Sequence, residues 1–298
     1  MSYARVESGP SVLELVQSIE SLRQWRARML KSGDDSGRLR LGLVPTMGYL
    51  HEGHLSLVER ARESCDLVVV SIFVNPLQFG PTEDFERYPR DLERDLSLLR
   101  GAKVDCVFNP TAEDVYGNGH RPGTHVVPPQ WLIERLCGEF RPGHFEGVAT
   151  VVAKLFNIVQ PDIAYFGEKD YQQLLVIKHM VKDLNMNLNV QGVPIVRESD
   201  GLAMSSRNVY LSESDRKKAP VIHEVLSEVK SAVQRKASVQ EAIAKGKQKL
   251  LDNGFEVQYL ELCLADTLEP ANDGEKPVVI LVAAKLDKVR LIDNMIVS

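Results

Sequence analysis

The stretch LRLGLVPTMGYLHEGHLSLVERARESCDLVVVSIFV, residues 39–74, reads as strand, turn, helix and strand. LRLGLVP is an apolar strand that stops at Pro45, and HLSLVERARESC places apolar residues on one helical stripe with charges opposite. DLVVVSIFV shows no polar alternation, as expected of a strand covered on both faces of a parallel sheet. Between them, PTMGYLHEGH (45–54) sets His51 and His54 three residues apart around Gly53. A strand-to-helix turn of this kind lies at the carboxyl edge of the sheet, where such folds take ligands. The first amides of the helix and its positive dipole end favour an anion there. Gly48 and Gly53 let the backbone approach closely, and the two imidazoles can face one guest. A polyphosphate fits that description. A metal is the weaker reading, because the pair lacks the further ligands a zinc site needs close by.

The alternation continues downstream. A loop NPLQFGPTEDFERYPR (75–90) leads to a helix DLERDLSLLRGA (91–102) and a strand KVDCVFNP (103–110). Helix GVATVVAKLFNIV (147–159), strand IAYFG (163–167), helix YQQLLVIKHMVKDLN (171–185) and strand LNVQGVPIV (188–196) follow. The pattern predicts an α/β fold with a parallel sheet and right-handed crossovers. Upstream, residues 11–32 have helical spacing and predict one helix, followed by a polar loop KSGDDSGR (31–38). Past residue 196 the texture changes to two helices (213–235 and 238–253) and three strands (256–266, 276–286 and 288–297) of a small antiparallel sheet. We therefore expect two domains, 1–195 and 196–298, the second a smaller α+β lid.

Composition excludes several classes. The chain has 298 residues, 44% of them apolar and 26% charged, as in ordinary soluble globular proteins. A net charge of −5 argues against a dedicated nucleic-acid binder. No apolar run is long enough to span a bilayer, and the start of the chain shows no export signal. Cys65, Cys106, Cys137 and Cys263 are widely spaced and read as reduced, structural thiols of a cytosolic protein.

Further motifs sit at the same sheet edge. Gln78 in NPLQFG offers one acceptor and two donors, suited to a small hydroxy acid. Arg141 and His144 in RPGHFEGVATVV read as edge polar residues, with Gly147 allowing close helix packing on the sheet. In FGEKDYQQ, Lys169 is a compact cation that can follow a phosphate, and Asp170 can cap the helix or take a ribose hydroxyl. In AMSSRN (203–208), Ser205, Ser206 and Arg207 form a clamp of donors for phosphate oxygens.

Together these stretches, over roughly residues 40–212, resemble the pantothenate synthetase (pantoate–β-alanine ligase) family. The HEGH turn resembles the HxGH signature of class I aminoacyl-tRNA synthetases and nucleotidyltransferases, and AMSSRN resembles their second, KMSKS-like loop. The resemblance implies a Rossmann-like nucleotide-binding domain and ATP-dependent joining of pantoate to β-alanine through a pantoyl adenylate, with release of AMP and pyrophosphate. It implies an ATP site at Met47, Gly48, Tyr49, Leu50, His51, Glu52, Gly53 and His54, at Gly167, Glu168, Lys169 and Asp170, and at Val196, Met204, Ser205, Ser206 and Arg207. Pantoate would meet Gln78 and Gln173, with Asn75 nearby and Val151 and Val152 as pocket wall. The catalytic set would be His51, His54, Lys169, Ser205, Ser206 and Arg207, with His54 as proton donor because a neighbouring polyphosphate favours its charged form. Mg2+ is implied, and Asp95 is a candidate to hold it through water. Tyr49 stands where many members have alanine; the backbone should do the binding there. The family also implies a cytoplasmic homodimer with no nucleic-acid or membrane partner. Two rivals are another HxGH adenylyltransferase, which would release a dinucleotide-like product, and a nucleotide-sensing module without turnover.

Overall fold

The structure, a computed structural model, describes residues 13–31, 39–117, 123–272, 274–275 and 277–297. Residues 11–12 of the expected first helix and 32–38 of the expected polar loop lie outside them.

The chain opens with β1 (Glu14–Val16) and α1 (Ile19–Lys31), then β2 (Leu41–Thr46), α2 (Glu52–Ser64), β3 (Leu67–Ile72), α3 (Leu92–Gly101) and β4 (Cys106–Phe108). Three short helices follow, α4 (Ala112–Tyr116), α5 (Gln130–Ile133) and α6 (Cys137–Phe140). Next come α7 (His144–Val159), β5 (Ile163–Gly167), α8 (Tyr171–Asp183) and β6 (Asn189–Val193). The remainder is α9 (Glu213–Lys218), α10 (Val221–Gln234), α11 (Val239–Asp252), β7 (Phe255–Leu264), β8 (Val278–Leu286) and β9 (Val289–Val297).

The first six strands form one parallel sheet in the order β1-β4-β3-β2-β5-β6. Every residue of β3 is buried, which its unbroken apolar run required. Helix α7 is buried around nearly its whole circumference, in keeping with its run of apolar and small residues. After β2 the chain builds toward β3 and β4; β5 lies on the other flank of β2. The carboxyl ends of β2 and β5 therefore mark a topological switch point, the natural place for a ligand crevice.

Three expectations need correction. Residues 11–32 are not one helix: Glu14–Val16 pair in parallel with Cys106–Phe108 before α1 begins. Helical spacing of Leu13 and Val16 was compatible with either structure. The free edge of β4 decided, since it gains a partner through the Glu14 N–H to Asp105 and the Asn109 N–H to Val16. The helix expected over 213–235 breaks into α9 and α10 at Pro220, which lacks an N–H. The last parallel strand ends at Val193, before Pro194, for the same reason.

The antiparallel sheet β7-β8-β9 has two covered faces. Leu260, Leu262, Ile280, Val282 and Ala284 pack with Ile222, Val225 and Val229 of α10. Tyr259, Cys263, Val279, Leu281 and Ala283 join the core that holds α7 and α8. No helix among the described residues is long and apolar enough to cross a membrane.

Candidate active site

Gly48 and Tyr49 link β2 to α2 with φ of +81° and +49°, a sharp turn that aims the chain back toward the sheet edge. His51 then precedes α2 in an extended conformation, and His54 sits in its first turn. The two rings lie 4.0 Å apart between centroids. Gly53 makes room for them: a methyl there would stand 2.9 Å from His51 Cε1 and Nδ1. His54 Nδ1 accepts from the His51 N–H at 3.3 Å, which assigns the proton of the neutral ring to Nε2. His51 Nδ1 is buried and has no partner among the described residues.

Both imidazoles are neutral at pH 7 in the protein alone. Burial, then the nearby Lys169 and Arg94, lower His51 to about 4. Burial, then His51 and Lys169, push His54 well below its ordinary value. In the protein alone the neutral His54 ring offers one Nε2–H; the charged form was expected only beside a bound polyphosphate.

These rings open on a cavity of about 230 Å3 at the switch point. Met47, His51, Gly53, His54, Gly167, Lys169, Asp170, Val196, Met204, Ser205, Ser206 and Arg207 line it, together with Asn75, Gln78, Val151, Val152 and Gln173. Gly48, Tyr49, Leu50, Glu52 and Glu168 do not reach the wall. The amides of Tyr49 and Leu50, expected to face an anion, instead meet the Asp95 carboxylate at 2.7 Å each. Asp95 thus spends each carboxylate oxygen on a backbone amide, is 1% exposed and stands off the cavity wall, a poor placement for a metal ligand.

The serine–arginine loop is held closely. Ser206 Oγ donates to the Tyr49 carbonyl at 3.1 Å, and Ser205 Oγ accepts from the Arg207 N–H at 3.3 Å. Arg207 grips Asp84 through Nε and Nη2, both at 2.9 Å, against the rings of Phe79 and Tyr88. Burial would lower the Arg207 pKa, but Asp84 outweighs it and holds the guanidinium firmly charged. Lys169 Nζ lies 3.8 Å from the Asp170 carboxylate. The Glu168 and Lys169 carbonyls accept from the Asn294 amide of β9, fixing this turn to the second sheet.

At the other end of the cavity Asn75 is 1% exposed and fully engaged within the protein. Its amide donates to the Gly147 carbonyl and Gln78 Oε1, and its oxygen accepts from Tyr116 Oη and the Leu77 N–H. Asn75 thus orients Gln78. The neighbouring Gln172 faces away, bonded to Cys137 N–H and to the Leu132 and Arg135 carbonyls, which leaves Gln173 for the cavity. Gly147 packs against the 75–78 loop rather than the sheet: a methyl there would stand 2.2 Å from the Leu77 carbonyl oxygen.

Arg141 and His144 also line the wall, more deeply than edge residues would. Arg141 forks onto Glu83 at 2.7 and 2.6 Å and reaches the Gln78 carbonyl at 3.2 Å. Burial raises the Glu83 carboxyl, but Arg141 overcomes it and leaves Glu83 below its ordinary range. Tyr88 joins the wall without any motif to announce it.

Among the described residues no cluster of three or more metal-binding side chains occurs. Among those same residues Asp170 is the one carboxylate on the wall. That donor set fits Mg2+ carried by a polyphosphate, since this ion keeps its waters and needs only one or two protein carboxylates.

Comparison with known proteins agrees. A family model described as pantoate-beta-alanine ligase matches residues 14–296. The pantothenate synthetase of Acetivibrio thermocellus is 50% identical over 286 residues, 94% of this chain and 99% of its own. That of Azotobacter vinelandii is 49% identical over 284 residues, covering 94% and 99%. Among solved structures, pantothenate synthetase from Thermus thermophilus superposes with a TM-score of 0.87 at 49% identity, covering 95% of this chain and 98% of that one. The Francisella tularensis pantoate-beta-alanine ligase, complexed with beta-gamma ATP and beta-alanine, gives 0.78 at 35% identity, covering 96% and 98%. By sequence along nearly its whole length, and by fold, the chain belongs to the pantoate–beta-alanine ligase family.

Proposed function

We propose that the protein joins pantoate to β-alanine in two steps at this one cavity. A carboxylate cannot acylate an amine directly, because oxide is too poor a leaving group. The pantoate carboxylate therefore attacks the α-phosphorus of ATP, and pyrophosphate departs with the electrons of the broken P–O bond. The β-alanine amine then attacks the acyl carbon of the adenylate; AMP leaves, and the nitrogen loses a proton. No protein nucleophile is needed.

The observation that carries this reading is the shared wall. His51, His54, Lys169 and the Ser205–Arg207 loop meet Gln78 and Gln173 around one space, which supports a reading in which groups suited to phosphate adjoin groups suited to a hydroxy acid. His54 Nε2–H, the Lys169 ammonium and the serine hydroxyls would stabilise charge growing on the α-phosphate and on departing pyrophosphate. Each such donor contributes about 2.7–4 kcal/mol, by the scale of oxyanion-hole deletions. Val196 would meet the adenine. Gln78 and Gln173 would orient pantoate against the apolar wall of Val151 and Val152. Mg2+ bound by the triphosphate and Asp170 would supply further charge neutralisation.

Residues 1–195 would bind both first-step substrates and 196–298 would close over them. We place the activity in a cytoplasmic homodimer; four buried thiols outside any disulfide accord with a reducing compartment. Sedimentation velocity showing only monomer at micromolar concentration would remove the dimer.

The decisive experiment measures AMP release with pantoate, β-alanine or ATP omitted in turn; release should require all three. His54→Ala should lower pantoate-dependent ATP–pyrophosphate exchange by about 10²–10³ with an unchanged circular dichroism spectrum. Exchange near the parent rate would take His54 out of the chemistry. Gln78→Ala and Gln173→Ala should raise KM for pantoate far more than KM for ATP, and equal losses would mean the pocket is misassigned.

A further inference from the structure

Asp95 lies on α3, away from every substrate-facing motif, yet its carboxylate meets the start of the imidazole turn. Oδ2 accepts from the Tyr49 N–H and Oδ1 from the Leu50 N–H, each at 2.7 Å. Two successive amides converging on one anion form the concavity that many proteins offer to a bound phosphate. Here a carboxylate of the chain itself fills it. The turn needs such a partner. Tyr49 sits in the left-handed region at φ +49°, directly after Gly48 at +81°, and a non-glycine residue there is strained. The fit is tight, because a methyl at Gly48 would stand 3.1 Å from Asp95 Oδ2. Arg94 closes the outer side, 3.7 Å from Asp95 Oδ1 and over the Tyr49 ring.

The same peptide is held from the other direction, where the Tyr49 carbonyl accepts from Ser206 Oγ. Two residues further on stands His51, followed by the head of α2. We propose that Asp95 is a positioning residue for ATP. Its carboxylate locks residues 48–50 so that the His51 ring and the first amides of α2 face the cavity, and so that the flap serine has a carbonyl to dock on. Asp95 itself touches no substrate. The inference rests on the ligase reading above, and the parent protein tests that reading separately: AMP release that does not require pantoate and β-alanine would defeat it, whatever Asp95 does.

Asp95→Asn keeps the volume but turns an NH2 group against a backbone N–H. The variant should raise the ATP dissociation constant, by calorimetry, and KM for ATP by about tenfold, while KM for pantoate changes less than about twofold. Raising Mg2+ should leave the defect unchanged. An ATP affinity equal to the parent's, equal losses for both substrates, or recovery with excess Mg2+ would each overturn the proposal, the last by making Asp95 a metal ligand. Should Asp95→Asn lose its fold, Asp95→Asn combined with Tyr49→Gly carries the test. Glycine adopts a positive φ without strain, so the double variant should fold and bind ATP more weakly than Tyr49→Gly alone, with KM for pantoate little changed. An ATP affinity equal to that of Tyr49→Gly would refute the positioning role.

Discussion

His144 donates or accepts at two fixed points: Nδ1 meets the Gln78 carbonyl at 2.8 Å and Nε2 the Arg141 guanidinium at 3.0 Å. A carbonyl only accepts and a guanidinium only donates, so the ring is neutral with its proton on Nδ1. Burial first, and Arg141 second, lower its pKa to about 3, and His51 falls to about 4. The unfolded imidazoles titrate near 6.5. Between those values the unfolded chain binds protons that the folded chain refuses, so stability rises with pH. Their contribution is complete above about 6.5 and is lost as acid takes the pH toward 3. Urea midpoints measured across that window should fall for the parent and fall less steeply for His144→Gln; parallel curves would show that His144 is not part of the acid sensitivity. Little of this could be read from the sequence. His51, Gly53 and His54 announce themselves because their relation is local, within four residues. Besides Arg141 three residues before it, His144 reaches a carbonyl 66 residues away, and Asp95 an amide 45 residues away; no local pattern encodes such distant pairs.

At the scale of elements, Gly147 decides how α7 meets the loop that carries Gln78. A side chain there would collide with the backbone carbonyl of Leu77, which cannot rotate aside. Gly147→Ala should cost about 1–3 kcal/mol in chemical denaturation and raise KM for pantoate, since the 75–78 loop must shift. Unchanged stability would mean that the loop moves freely, and the packing argument would fail. Strands β2, β3 and β5 were legible because burial on both faces writes a continuous apolar run. Strand β1 was not, because three residues beside a helix share its apolar spacing, and only the exposed edge of β4 selects the extended form. The break between α9 and α10 was available in the sequence as Pro220, but strong apolar periodicity on either side masked it.

In the whole molecule, the first sheet ends with β6 at Val193, the second begins with β7 at Phe255, and the two share a core. One face of β7-β8-β9 belongs to the core around α10, while the other shares a core with α7 and α8. Arg197 forks onto buried Asp293 at 2.6 and 2.9 Å, and the adjacent Asn294 holds the Lys169 turn. Thermal unfolding should therefore be one cooperative transition with equal calorimetric and van't Hoff enthalpies; two separated transitions would show that the second sheet is an independent unit. Sequence texture reveals where a sheet ends and another begins. It does not reveal which faces are apolar on both sides by virtue of a second neighbour.

The two adjoining glutamines at the head of α8 carry one more implication. Gln172 is bolted to carbonyls and an amide of the 132–137 segment, so it sets which rung of the helix presents its neighbour to the cavity. That segment is itself tightly wound, for a methyl on Gly138 would overlap the Ile133 carbonyl. A stretch off the cavity wall thus serves as the index mark for α8, and a slip of one rung would exchange a cavity-facing amide for a structural one.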